Sequence, residues 1–289
     1  MTVDQITIVG TGLIGGSFAL AVRKRGFRGR IVGCDRRPVL QQAQQMGAID
    51  VGSEDVGQAI TGSQVVLLAT PVGAIIDFLD RVGPALRDGT LVTDVGSTKR
   101  EIVVRAQAVF GEGAVHRFLA GHPMAGKEHS GIEHATSELF QGAVWLVTPL
   151  PNQDVRAGLC GEFLGLVEKI GAGVVNMGVE RHDRVCAWIS HLPQMLSTAL
   201  AATVVDELGN DPELLAIGGR ALKEMTRIAA SPYSMWRDIA LTNSDHIQEA
   251  LQRLEQRLAH IRENLKTAEL RKEFEKGNRF HGDTETRRE

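Results

Sequence analysis

The stretch Ile6-Thr-Ile-Val-Gly10-Thr11-Gly12-Leu13-Ile14-Gly15-Gly-Ser17 decides how the first half of the chain folds. A β-branched apolar run ends on a glycine, and a helix-forming segment, Ser17 to Arg25, follows almost at once. Each glycine of this G-x-G-x-x-G pattern has its own physical task. Gly10 permits the tight turn, Gly12 lets backbone approach a pyrophosphate, and Gly15 lets the helix close onto the strand. The helix N-terminus then points free N–H groups and its positive dipole end at the phosphates. Asp35 lies 20 residues after Gly15, at the end of the next apolar run, Arg30 to Cys34. A carboxylate there accepts from the hydroxyls of an adenosine ribose and repels a 2′-phosphate. The expected cofactor is therefore NAD. NADP is the alternative, because Arg36 and Arg37 could hold that phosphate.

Outward from this turn, short apolar runs alternate with helix-like stretches. Val65-Val-Leu-Leu-Ala69, Leu91-Val-Thr-Asp-Val95, Phe118-Leu-Ala120, Ala143-Val-Trp-Leu-Val147 and Gly173-Val-Val175 continue the series. Their apolar character is continuous, not alternating, which implies burial on both faces. The expectation is a Rossmann-type, mostly parallel sheet with crossover helices. After about Met177 the strand pattern ceases. Val179 to Asp206, Pro212 to Ala230 and Ser234 to Lys276 read as helix. The fold class is thus α/β, with a dinucleotide-binding domain over 1–177 and an all-helical substrate and dimerisation domain over 178–289. The polar end, 277–289, reads as a frayed tail. Ile247, Leu251, Leu254, Leu258, Ile261 and Leu265 recur at steps of 4, 3, 4, 3 and 4, a seam suited to a helix pair and so to a homodimer.

Composition narrows the function. The 289 residues are 43% hydrophobic and 23% charged, with a net charge of −3. No basic block is present to displace counterions from nucleic acid. The longest uncharged stretch, Gly57 to Ile76, is broken by Pro71 and glycines, so no membrane span is expected. The apolar run begins within ten residues of Met1, so no signal peptide is expected. Cys34, Cys160 and Cys186 are odd in number and lack C-x-x-C spacing, as free thiols of a cytoplasmic protein would be. No P-loop, nucleophile elbow or zinc motif occurs, and no metal site is expected. The three tryptophans, Trp145, Trp188 and Trp236, are assigned to the core.

A parallel sheet presents its strand ends along one edge, where ligands bind. Asp35, Thr70-Pro71, Gly96-Ser97 and Gly121-His122 all fall on that edge. His122 precedes Pro123, which holds it in extended backbone. Together with Asp94-Val-Gly-Ser-Thr-Lys99, Gly121-His-Pro-Met-Ala-Gly126, Ser190-His-Leu-Pro193 and Thr226-Arg-Ile-Ala229, the glycine turn resembles the prephenate/arogenate dehydrogenases of tyrosine biosynthesis. The resemblance runs from about Ile6 to Leu265.

It implies an oxidative decarboxylation, with hydride passing from C4 of a cyclohexadienol to the nicotinamide and CO2 leaving C1. His122 takes the place of the base for the C4 hydroxyl, a task suited to an imidazole whose ordinary pKa is near 6.5. Ser97 resembles the residue that orients this histidine and contacts the hydroxyl or the nicotinamide. Arg227 matches a carboxylate-binding arginine. His191 and Gln194 fall in the segment that lines the family's substrate pocket. Gln194 stands where a second histidine often occurs, so prephenate and arogenate both remain open as substrates. Two other readings of the chain are a β-hydroxyacid or imine dehydrogenase, which would use a lysine in the helical half, and a regulatory protein that binds NAD without turnover. His182-Asp183 reads only as a cap or a lining of the helical half.

Overall fold

A computed structural model describes residues 3–127, 129–209, 211, 213 and 217–285. The chain forms two compact units, Met1–Ser244 and Asp245–Glu289. The first contains an eight-stranded sheet: β1 (Gln5–Val9), β2 (Arg30–Cys34), β3 (Val51–Ser53), β4 (Val65–Leu68), β5 (Leu91–Asp94), β6 (Phe118–Pro123), β7 (Val144–Thr148) and β8 (Gly173–Asn176). Their order is β3-β2-β1-β4-β5-β6-β7-β8. All neighbours are parallel except β6 and β7, which pair antiparallel, His122 opposite Leu146. The three-residue β3 has no counterpart in the apolar runs, because Val51-Gly-Ser53 offers a single apolar side chain and reads as a turn.

β4 shows why the sheet carries helices on both faces. Val65 and Leu67 belong to one apolar core with Phe18 of the helix Leu13–Lys24. Val66 and Leu68 belong to another, with Ile75 of Val72–Arg81 and Ile102 of Arg100–Phe110. Successive strand side chains point to opposite faces, and all four residues of β4 are buried. Each such side chain contributes about 1.5–3 kcal/mol by leaving water. Trp145 sits fully buried among Phe18, Phe140 and Phe163, with ring centroids 5.5–6.1 Å apart.

Beyond Asn176 the first unit is helical. Val179–Cys186 runs into a π-helical turn, Ala187–His191, and then into Leu192–Leu208. Pro193 cannot donate to the carbonyl four residues back and its ring crowds that turn. The helix widens just before it. Trp188 lies on this wide turn and is 39% exposed, not in the core. Gly219–Thr226, a 3-10 turn at Arg227–Ala230 and Tyr233–Thr242 follow. Pro212 and 214–216, in the expected helix Pro212 to Ala230, lie outside the described residues.

The expected helix Ser234 to Lys276 is three helices. Asn243 leaves helical geometry (φ −136°, ψ 28°) after Thr242. In the second unit Asn264 closes the helix Ser244–Glu263 by bonding back to the carbonyl of His260, and Thr267 opens Ala268–Glu285. These two helices are joined by Arg257, whose guanidinium donates twice to Glu273 at 2.8 Å. Helix therefore extends through 277–285, where fraying was expected; 286–289 lie outside the described residues. Along the apolar seam Ile247 is buried, Leu251, Leu254 and Ile261 are half-buried, and Leu258 and Leu265 are exposed.

Candidate active site

The glycine turn is built as its spacing requires. Gly10 has φ +92°, and a Cβ there would lie 2.4 Å from the Ala69 carbonyl oxygen. A Cβ on Gly15 would lie 2.1 Å from the Gly10 carbonyl oxygen, while one on Gly12 would meet nothing within 4 Å. Thus Gly10 and Gly15 serve internal packing, and Gly12 borders open space that suits a ligand. Leu13 and Ile14 begin the helix, Ile14 packing against the core. Asp35 Oδ2 accepts from Thr11 N at 2.8 Å and Oδ1 accepts from Arg36 N at 2.8 Å. A carboxylate has about four acceptor positions, so capacity remains for ribose hydroxyls. Thr70 and Pro71 follow β4 on the same edge, Thr70 half-buried against the turn and Pro71 exposed.

Three strands away, β6 carries His122. Its approach is fixed by a buried ion pair. Lys99 Nζ bonds Asp94 Oδ2 and also donates to the Gly121 carbonyl at 2.7 Å, while Gly121 N donates to Asp94 Oδ1 at 3.2 Å. Backbone pairing of β5 with β6 is registered at Val92–Phe118 and Thr93–Leu119. The Asp94–Lys99 pair clamps the strands together where that ladder stops. Gly121 must be glycine, since a Cβ would lie 2.8 Å from both the Asp94 carbonyl oxygen and Trp145 Nε1.

His122 Nδ1 lies 2.9 Å from His182 Nε2, and His182 Nδ1 lies 2.8 Å from Asp183 Oδ1. The proton positions follow from the chain of partners. An ionised carboxylate only accepts, so His182 carries its proton on Nδ1 and accepts at Nε2. His122 then donates from Nδ1 and keeps its lone pair on Nε2, which has no hydrogen-bond partner among the described residues. Asp183 also caps the helix Arg100–Phe110, accepting from Lys99 N at 2.7 Å and Arg100 N at 2.9 Å.

Burial, followed by His182, Lys99 and His191, holds the His122 pKa well below the usual imidazole value. Burial also lowers that of His182, against the hydrogen bond that it donates to Asp183. For Asp183 burial acts upward, but the bonds from His182, Arg100 N and Lys99 N outweigh it and lower the carboxyl. The array thus favours a neutral imidazole pair beside a carboxylate.

The other expected residues divide. Ser97 is half-buried on the strand edge and forms no hydrogen bond among the described residues. The side chain bonded to His122 is His182, which the sequence presents only as a cap or a lining of the helical half. A signal existed: His182 and Cys186 are four apart and share one face of a helix. His191 is fully buried on the π turn, 3.2 Å from Asn243 Nδ2 and edge-on to Trp236. Burial drops its pKa to about 4, and its Nε2 is buried without a partner. Gln194 donates to the Ile228 carbonyl at 2.9 Å, so it secures the 3-10 turn on which Arg227 sits exposed. Cys186 Sγ lies 3.6 Å from His182 Nε2 and 3.9 Å from His122 Nδ1.

Residues 18–176 match the family model for the prephenate dehydrogenase nucleotide-binding domain, and residues 179–277 match that for the prephenate dehydrogenase dimerization domain. The chain belongs to the prephenate dehydrogenase family. It is 32% identical over 258 residues to a prephenate dehydrogenase of Lactococcus lactis, covering 89% of this chain and 70% of that one. A prephenate dehydrogenase of Bacillus subtilis is 34% identical over 246 residues, covering 84% of this chain and 65% of its own length. The chain is also similar to the crystal structure of A. aeolicus prephenate dehydrogenase in complex with hydroxyphenyl propionate and NAD+. There the TM-score is 0.83 at 31% identity, over 100% of this chain and 98% of that one. Synechocystis arogenate dehydrogenase gives a TM-score of 0.75 at 26% identity, over 98% and 99%. Among the described residues no helix is long and apolar enough to cross a membrane.

Proposed function

We propose that the chain catalyses the NAD-dependent oxidative decarboxylation of prephenate, of arogenate, or of both. The observation that carries this reading is the Asp183–His182–His122 array, which leaves a neutral acceptor nitrogen on the sheet edge that also bears the glycine turn. The turn Gly10, Thr11, Gly12, Leu13, Ile14 and Gly15 would hold the pyrophosphate against its backbone around Gly12, with Gly10 and Gly15 shaping the turn, and Asp35 would hold the ribose. Arg36, Thr70, Pro71 and Ser97 would flank the cofactor. Bound NAD+ would supply the hydride acceptor for the ring carbon that bears the hydroxyl. His122 Nε2 accepts the hydroxyl proton, and His182 with Asp183 stabilises the charge that develops on the imidazole. The electron pair of the breaking C–CO2 bond enters the ring, which becomes aromatic. Arg227 binds a substrate carboxylate, with His191 and Gln194 holding the wall behind it. Asp35 favours NAD over NADP by charge.

The division into a cofactor domain to about Met177 and a helical substrate and dimerisation domain beyond it accords with this chemistry. A homodimer through the helical half is supported by its exposed apolar side chains, among them Met225, Tyr233 and Leu241.

Incubating the purified protein with prephenate or arogenate and either NAD+ or NADP+ tests the reading through reduced-cofactor absorbance. Turnover is expected with NAD+, and no reduced cofactor in any of the four pairings would overturn it. Arg227→Ala should raise KM by about tenfold to a hundredfold, the worth of a hydrogen-bonded charge. An unchanged KM would move carboxylate recognition elsewhere.

A further inference from the structure

The three donors His122 Nδ1, His182 Nε2 and Cys186 Sγ lie within 4.8 Å of one another, and all three residues are buried. Their separations are 2.9 Å between the nitrogens, and 3.6 and 3.9 Å from the sulfur to His182 and His122. Bonds of about 2.05 Å to nitrogen and about 2.3 Å to sulfur at tetrahedral angles require about 3.3 Å between nitrogens and about 3.5 Å between nitrogen and sulfur. The observed triangle thus matches one face of a tetrahedral site to within about half an ångström. The surroundings fit as well. His182 already donates its far N–H to the Asp183 carboxylate, the partner that metal-binding histidines ordinarily have, because it fixes the tautomer and makes the ligating nitrogen more basic. The nearby Lys99 ammonium is neutralised by Asp94. The set of two imidazoles and one thiolate is soft enough for zinc or cadmium and unsuited to magnesium or calcium.

We infer that His122, His182 and Cys186 form a binding site for a thiophilic divalent cation such as Zn2+, and that its occupation switches the enzyme off. On binding, the Cys186 thiol releases one proton to solvent and its thiolate ligates the metal. His182 ligates through the Nε2 lone pair that it now offers to His122. His122 ligates through Nδ1, so its remaining proton moves to Nε2. That last change is the inhibitory one: Nε2 becomes a donor and no longer accepts the substrate hydroxyl proton. The fourth metal position is left for water. Metal binding needs only the geometry of the three side chains; the inhibition rests on the proposed role of His122.

Cd2+ titrated into the full-length, chelator-treated protein without substrate or cofactor gives the primary readout. One equivalent should bind, with a thiolate-to-metal charge-transfer band in the ultraviolet. The band should vanish in Cys186→Ser and persist in Cys34→Ala/Cys160→Ala. No band, or a band that survives in Cys186→Ser, would overturn the site whatever the enzyme turns over. Should Cys186→Ser not fold, cadmium NMR on the unaltered protein decides: a shift outside the range of a mixed nitrogen and sulfur set counts against the site. Zn2+ should abolish turnover as the site fills, with recovery on adding chelator. Stoichiometric binding with full turnover would overturn the proposed inhibition.

Discussion

The glycine turn and the histidine array lie on one sheet edge but are made differently. The turn is shaped by backbone, and its residues fall within a short span of sequence; its key side chain, Asp35, is held by main-chain N–H groups. The array is made of side chains from segments 60 residues apart, and each proton in it is placed by its neighbour. The difference teaches that a backbone cradle can be built from local shape, while an array that sets the tautomer of each imidazole needs partners that only the tertiary fold supplies.

The sharpest way to separate them is His122→Asn, which removes the acceptor and leaves the turn intact. The expected loss in kcat is about 10²- to 10⁴-fold, the usual contribution of a general base, with NAD+ affinity unchanged by calorimetry. A parallel loss of NAD+ binding would mean that the two regions are not independent.

Next in size is a pH effect. His191 has its pKa at about 4 in the folded chain, with burial the main cause, against about 6.5 unfolded. Below 6.5 the unfolded chain takes up a proton that the folded one refuses. This contribution to stability is complete above pH 6.5 and is lost as pH falls toward 4, by up to about 3 kcal/mol. Denaturation across that range should show the slope, and His191→Gln should reduce it, leaving the share of the buried His122 and His182. An unaltered slope would assign the acid sensitivity to other groups.

Gly15→Ala probes the turn itself. The added Cβ, 2.1 Å from the Gly10 carbonyl oxygen, should cost about 1–3 kcal/mol of stability and weaken NAD+ binding. The pH profile of kcat should not move, since that belongs to the array. Smallest is Asp35→Asn, expected to weaken NAD+ by about tenfold, near 1.5 kcal/mol for a charged acceptor, and to narrow the preference over NADP+. Equal affinity for NAD+ in variant and parent would show that Asp35 serves Thr11 and not the ribose.

What could be read from the chain follows the same division. Gly10, Gly12, Gly15 and Asp35 were legible because a turn and the following strand are local. β4 and β5 were legible because strands buried on both faces need continuous apolar runs. His122 stood out through its strand-end place before Pro123. His182-Asp183 did not, because a histidine and an aspartate in the first turns of a helix have ordinary capping uses, and nothing in the sequence places them beside β6. The break at Asn264 was hidden by the apolar seam, which runs straight through it to Leu265. The two helix breaks and β3 depend on single polar contacts or on pairing across the sheet, which periodicity does not record.

Asp183 and Asp238 reach from the helices after Asn176 to the N-termini of Arg100–Phe110 and Val72–Arg81, taking up the N–H groups of Lys99, Arg100 and Gly73. Helix-start amides would ordinarily face solvent. Here three of them are hydrogen-bonded to carboxylates that reach them only while the helical segment stays docked on the sheet. Their hydrogen–deuterium exchange therefore measures, at backbone positions that neither substrate nor cofactor need touch, how often the two layers part in the resting enzyme.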